Sequence, residues 1–185
     1  MNQSARTLYT SEQLNITIER LSYQLAENHY PFDNTVFIGL QPRGVYLAER
    51  IVNTLKKQFP DTEIHHGELD ITFYRDDFNT TGSDALPVAK ATIVPTSLTK
   101  KRVVLIDDVF FTGRTVRAGL DALLDHGRPS EIELLVLIDR RFNREVPIHA
   151  DYIGMTVDAV DAQKVRVQWA DEHHNDEVVL IERKK

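Results

Sequence analysis

The sequence predicts an α/β protein, with a mainly parallel, twisted sheet carrying helices on both faces. Three observations predict it. Short apolar runs rich in β-branched residues, at Thr35–Leu40, Val103–Ile106 and Ile132–Ile138, read as strands buried on both faces. Two of these runs pass through a brief turn straight into segments of helical periodicity. The length of 185 residues favours one domain over the whole chain, 1–185, large enough to bury a substantial core. Open sheets of this kind bind ligands beyond the carboxyl ends of their strands, so the loops after the apolar runs are the candidate sites.

Composition narrows the class. The chain is 42% hydrophobic and 27% charged, as in ordinary globular proteins. It has no cysteine, which excludes disulfides, thiolate metal sites and thiol nucleophiles and suits a reducing compartment. No secretory apolar region opens the sequence and no run reaches membrane-spanning length, so a cytoplasmic location is expected. The net charge of −6 opposes non-specific binding to nucleic acid as a whole and leaves room only for a local basic face.

Residues 1–8 carry little pattern. Tyr9 to Tyr30 reads as a helix: Thr10 and Gln13 fit a capping box, Tyr9 and Leu14 fit a hydrophobic staple, and Leu14, Ile18, Leu21 and Leu25 form one stripe. Pro31–Asn34 breaks it. The Thr35–Leu40 strand runs into Gln41-Pro42-Arg43-Gly44 and then a helix with Val45, Ala48, Ile51, Val52, Leu55 and Phe59 inward. This loop is either an ordinary strand-to-helix turn or an anion site at a helix N-terminus. Glu68 to Tyr74 alternates, with Leu69, Ile71 and Phe73 on one face, and reads as a half-buried strand. The polar stretch from Arg75 to Leu86 is long for a compact domain and suits a lid or a surface hairpin.

Val103–Ile106 is followed by Asp107 and Asp108, where that strand is expected to end. Thr112-Gly113-Arg114-Thr115 then opens a helix with Val116, Leu120, Leu123 and Leu124 on one face. Unpaired amides and the helix dipole would converge there on an anion, Gly113 permits close approach, and the threonine hydroxyls add donors. The two carboxylates offer acceptors for sugar hydroxyls, or charge beside a divalent cation; taken alone, such a pair reads rather as the cap of a strand. Gly127 and Pro129 stop the helix. Ile132–Ile138 leads to Asp139-Arg140-Arg141. Asp151–Val157 is a short extended segment, and Lys164–Trp169 with Glu177–Ile181 suggests a closing hairpin. Between the last two lies Asp171-Glu172-His173-His174-Asn175-Asp176. Its adjacent histidines lack helical metal spacing, so it reads as a solvated turn.

The stretch Val103–Thr115, a hydrophobic run, two acids, a spacer and Thr-Gly-x-Thr, resembles the phosphoribosyl pyrophosphate (PRPP) motif of type I phosphoribosyltransferases. It matches neither a P-loop nor a dinucleotide fingerprint. Further segments sharpen the resemblance. Gly39–Glu49, Gly67–Asp77, Val103–Leu123, His126–Ser130 and Arg144–Gly154 are similar to the bifunctional pyrimidine-operon regulator and uracil phosphoribosyltransferase (PyrR) family.

That resemblance implies the type I phosphoribosyltransferase fold with a flexible lid loop and a C-terminal hairpin region. It implies a uracil phosphoribosyltransferase that makes UMP and pyrophosphate from uracil and PRPP. It implies Mg2+ held mainly by PRPP near Asp107 and Asp108, and catalysis by Asp107, Asp108 and Arg43. PRPP and its phosphates would meet Gln41, Pro42, Arg43 and Gly44, and the run Asp107, Asp108, Val109, Phe110, Phe111, Thr112, Gly113, Arg114 and Thr115. Tyr74, Arg75, Asp76 and Asp77 would belong to the lid, and Asp139, Arg140, Tyr152 and Ile153 to the base site. Tyr152 has a second reading as a core aromatic. Phe111 stands where 6-oxopurine enzymes generally carry Asp, which favours a pyrimidine.

The resemblance also implies a UMP-responsive attenuation regulator that binds pyrimidine-operon leader mRNA, and a homodimer or higher homo-oligomer. Arg20, Arg141 and Arg144 are the candidate RNA contacts, though they read equally as solvated or substrate-facing charges. Three departures bear on this. Arg141-Phe142-Asn143 replaces a shorter Gly-His step, Asp158–Ala162 is acidic where the family is typically basic, and Pro42 replaces a usual Thr. The alternatives are a nucleotide-sensing RNA-binding regulator with little enzyme activity, and phosphoribosyl transfer to another base.

Overall fold

The computed structural model describes residues 5–76, 89–160, 163–171, 173 and 175–182. In chain order the elements are β1 (Ala5–Tyr9), α1 (Ser11–His29), β2 (Thr35–Leu40), α2 (Gly44–Gln58), β3 (His65–Leu69), a 3-10 turn at Thr72–Tyr74, β4 (Arg102–Phe110), α3 (Arg114–Leu124), β5 (Glu131–Arg140), β6 (Tyr152–Val157), β7 (Gln163–Gln168) and β8 (Glu177–Glu182). Five strands form one parallel sheet in the order β3-β2-β4-β5-β6. The other three form an antiparallel sheet, β1-β8-β7.

The apolar runs fall at the centre of the parallel sheet, and alternation along β4 fills both faces. Val104 and Ile106 pack with α1 and α2, while Val103 and Leu105 pack with α3. All four are fully buried, and each contributes on the order of 2 kcal/mol of apolar burial. Helices therefore cover both faces. The predicted capping box at Thr10 and Gln13 is present, and Leu14, Ile18, Leu21 and Leu25 are buried. On α2 the inner face is Leu47, Ala48, Ile51, Val52 and Leu55; Val45 and Phe59 are only half-buried. On α3 the seam runs through Val116, Gly119 and Leu123, with Gly119 against Leu40 and Leu105. Leu124, expected inward, lies well round the helix from that seam and is exposed.

The structure differs from the sequence reading at four places. The strand expected over Glu68–Tyr74 ends at Leu69. There the Asp70 carboxylate accepts from the Thr72 N–H (2.9 Å) and the Lys90 N–H (2.7 Å) and so turns the chain. Phe73, expected on the buried face, is 82% exposed. Strand β4 does not stop before the carboxylates but carries Asp107 and Asp108 within its ladder. Ala5–Tyr9 form β1, an edge strand paired with β8. The acidic turn is not freely solvated. Arg50 lies over the Trp169 ring and forks to Asp171 (2.7 Å) and Asp176 (2.9 Å). Glu172 and His174 of that turn lie outside the described residues, as do Asp161 and Ala162. Among the described residues no helix is long and apolar enough to cross a membrane.

Candidate functional site

The carboxyl ends of the parallel strands share one edge, and there β4 delivers a cleft of about 320 Å³. It is lined by Arg75, Asp107 and Val109–Val116, so the stretch singled out in the sequence folds around a single space. Gly113 caps the N-terminus of α3 with φ +94, a conformation that favours glycine. The loop also accepts two bonds from a neighbouring segment: the N–H groups of Glu145 (2.9 Å) and Val146 (3.3 Å) both donate to the Thr112 carbonyl. The sequence reading gave Glu145 and Val146 no role, although they sit in the Arg-Glu-x-Pro-Ile run that marked the resemblance.

Asp107 and Asp108 are both 7% exposed. They point to opposite faces of the sheet, as neighbours on a strand must. Asp107 lines the cleft, and its carboxylate accepts the Asp108 N–H at 2.9 Å. Asp108 faces the Arg43 Nε at 3.9 Å. Burial, reinforced by the adjacent Asp108 charge, pushes the Asp107 carboxyl well above the usual carboxylate range; Arg75 and Arg43 offset this only in part.

The loop after β2 approaches the same carboxylates from α2. The Gln41–Pro42 peptide is cis. A Cβ on Gly44 would lie 2.3 Å from the Ile106 carbonyl and 3.0 Å from the Asp107 Cα, so only glycine lets the N-terminus of α2 close onto β4 here. Gln41 is buried, and its amide donates to Glu68 and to the Ala91 carbonyl, both at 3.0 Å, which fixes the loop against β3. The Arg43 guanidinium donates to the Val167 carbonyl at 2.8 Å. Strand β7 thus joins the antiparallel sheet to the site, a contact that no local pattern announces.

The lid residues enter at one end. Arg75 lines the cleft. Asp76 pairs with Arg117 at 2.7 Å and Arg114 at 3.8 Å, and the Tyr74 hydroxyl donates to Asp125, so the base of this segment is pinned to α3. Asp77 and the rest of the expected lid, residues 77–86, lie outside the described residues.

The remaining candidates separate. Asp139 and Arg140 reach the working edge at the end of β5. Asp139 binds Arg144 at 2.5 Å, and Arg140 is buried over the Phe111 ring, donating to the Gln163 carbonyl at 3.0 Å. Tyr152 is not at that edge. It pairs in register with Leu135, before the Val136 that partners Asp107, and its hydroxyl sits among Glu133 (2.9 Å), His29 (3.1 Å) and Asn28 (3.1 Å). The expected base contact is therefore replaced by a core role, because a β6 side chain at this register faces α1. Ile153 is half-buried with the α3 side of the core, and its carbonyl accepts from Arg20 at 3.1 Å.

The candidate RNA contacts are likewise engaged. Arg20 also donates to the Gly154 carbonyl at 2.8 Å, and Arg141 is exposed but forks to Asp158 at 2.7 and 3.0 Å. Arg144 turns inward onto Asp139, the Phe111 carbonyl and the Phe110 ring, which corrects its expected place on an RNA-facing surface.

Comparison with known proteins agrees with this architecture. Residues 4–172 match the family model for a phosphoribosyl transferase domain. The chain is 40% identical over 182 residues to the bifunctional protein PyrR of Bacillus subtilis (strain 168), covering 98% of this chain and 99% of that one. It is 38% identical over 181 residues to the bifunctional protein PyrR of Bacillus cereus (strain AH820), with the same coverage. Among solved structures, a hypoxanthine-guanine phosphoribosyltransferase (hpt-2) of Bacillus anthracis superposes with a TM-score of 0.70 at 17% identity over 98% of this chain and 99% of that one. The hypoxanthine phosphoribosyltransferase of Trypanosoma cruzi also reaches 0.70, at 16% identity and 97% of each chain. These two structural likenesses establish the fold alone.

Proposed function

The chain belongs to the PyrR family of phosphoribosyltransferases, and on that premise we propose that it joins uracil to PRPP, giving UMP and pyrophosphate. The observation that carries this reading is the convergence of the Asp107–Thr115 stretch and the Gln41–Gly44 loop on adjoining sides of one edge of the sheet. The 5′-phosphate takes the amides and hydroxyls of Thr112–Thr115 at the start of α3. The ribose hydroxyls take Asp107 and Asp108. Pyrophosphate takes the start of α2, with Arg43 supplying a charge-assisted bond. Uracil N1 forms the new bond to the anomeric carbon as the bond to pyrophosphate oxygen breaks, through a transition state of oxocarbenium character, and the N1 proton is released to solvent or to the pyrophosphate. The protein's share is orientation and stabilisation of departing negative charge, and no side chain needs to become covalently attached.

The residues also fit Mg2+. Among the described residues no cluster of three or more His, Cys, Asp or Glu is assembled, so the fold offers no complete cage. Two buried carboxylates beside a phosphate site are the oxygen-poor setting in which Mg2+ completes its shell with substrate oxygens and water. It would be held mainly by PRPP oxygens, near Asp107 and Asp108, and when bound it supplies charge neutralisation for the leaving pyrophosphate.

The test is UMP formation from uracil, PRPP and Mg2+, with hypoxanthine, guanine and orotate assayed beside it. Turnover with uracil alone is expected. Turnover with a purine and none with uracil overturns the base assignment. PRPP binding without turnover on any base leaves the alternative of a nucleotide sensor. The second function proposed, from the bifunctional relatives, is UMP-responsive binding of a pyrimidine-operon leader hairpin by a homo-oligomer. Retention of that hairpin at near-physiological salt, strengthened by UMP, is the expected result.

A further inference from the structure

We propose that Arg144 is a positioning residue for phosphoribosyl transfer: it turns the amides of the 5′-phosphate loop toward the substrate. The proposal rests on the reading of Thr112–Thr115 as the 5′-phosphate site. Arg144 makes three contacts at once. Its guanidinium donates to Asp139 at 2.5 Å and to the Phe111 carbonyl, and its Cζ stands 3.3 Å above the centre of the Phe110 ring. The next two residues continue the grip, since the N–H groups of Glu145 and Val146 hold the Thr112 carbonyl. Two successive carbonyls of the loop are thus pinned to the segment 144–146.

A trans peptide is planar, and its N–H points opposite to its C=O. With the Phe111 and Thr112 carbonyls held on the 144–146 side, the N–H groups of Thr112 and Gly113 turn the other way. Phe111, Thr112 and Gly113 all line the cleft, so that other side is the phosphate side. Val146 closes behind Gly113, where an added Cβ would meet it at 3.2 Å. Because Asp139 neutralises the guanidinium, the effect of Arg144 on a phosphate is directional rather than a simple added charge. A planar fork is needed to reach Asp139 and the carbonyl while lying flat on an aromatic ring, which a lysine cannot do.

The experiment measures the Kd of ribose 5-phosphate and, separately, of Mg-pyrophosphate by calorimetry. It uses the full chain as wild type, Arg144→Ala, Arg144→Lys, and Arg144→Ala with millimolar guanidinium. Ribose 5-phosphate should bind about tenfold more weakly, or worse, to both variants, the loss that one charge-assisted bond sets. Pyrophosphate, held by the other loop, should bind as before, and guanidinium should restore part of the ribose 5-phosphate affinity. Unchanged ribose 5-phosphate binding in Arg144→Ala overturns the proposal, whether or not RNA binding falls. Equal loss of both ligands also overturns it, since that marks general structural damage. Failure of the wild type to bind ribose 5-phosphate refutes the phosphate-site reading itself. Binding without UMP formation tells against the uracil reading and leaves the Arg144 comparison valid.

Discussion

Asp107 shows how a single residue sets stability against function. Burial and Asp108 raise the pKa of its carboxyl, so ionising it costs folding free energy. In the unfolded chain the same group ionises near pH 4. The penalty is therefore absent below about pH 4, grows as pH rises toward the elevated folded value, and is complete above it. Asp107→Asn keeps an oxygen to accept the Asp108 N–H and removes the ionisation. The variant should melt higher than wild type at neutral pH and equally at pH 4 or below, while UMP formation falls by about 100-fold or more. Matched thermal scans at the two pH values together with a turnover assay check this. A lower melting temperature at neutral pH would show that Asp107 is ionised and well solvated by its surroundings.

At the scale of elements, what was legible depended on whether one segment carried its own signal. β2 and the helix after it were readable because a continuous apolar run and a 3.6-residue stripe are local properties. β1 was not, because Ala5–Tyr9 becomes a strand only through β8, far along the chain. Tyr152 stayed open between a base contact and a core aromatic for the same reason: an aromatic in a strand gives no register, and the register sends it to α1. There the His29 ring, 3.0 Å from Glu133, bonds Tyr152 and Thr35 and ties the end of α1 to β2, β5 and β6. Burial, with Arg102 nearby, lowers the His29 pKa to about 4, so the ring is neutral at pH 7. The unfolded chain takes up the His29 proton first. Stability should therefore decline as pH falls from about 6.5 to about 4 and lose nothing further through this group below that. Tyr152→Phe strips a hydroxyl from three partners and should cost about 1–3 kcal/mol in denaturant unfolding. The KM for uracil should stay within about twofold in Tyr152→Leu, since hot spots of recognition lie elsewhere; a large rise would return the ring to the base site.

At the scale of the molecule, charge among the described residues is balanced locally rather than gathered into a basic face. The net −6 already opposed a broad nucleic-acid surface, and the fold explains where the arginines went. Arg144 holds the Phe111 carbonyl and Asp139, Arg20 binds carbonyls of β6, and Arg50 holds the acidic turn. The sequence showed which residues are basic but not that their partners would arrive from distant segments, which is why the Asp107–Thr115 cleft was legible and a basic surface was not. Arg20 and Arg141 are the exposed members of the candidate RNA set, and Asp158 forks onto Arg141. Any RNA phosphate at Arg141 must displace that carboxylate, which sets a toll on affinity without altering the fold. Asp158→Asn removes the competitor and keeps the side-chain shape. It should strengthen leader-hairpin binding and steepen the dependence of log K on log salt by a little under one unit, the increment for one additional phosphate contact. Filter binding across a salt series for wild type and Asp158→Asn measures both quantities together. An unchanged slope would mean that Arg141 makes no phosphate contact, and the RNA surface would then have to be sought on a part of the molecule away from the end of β5.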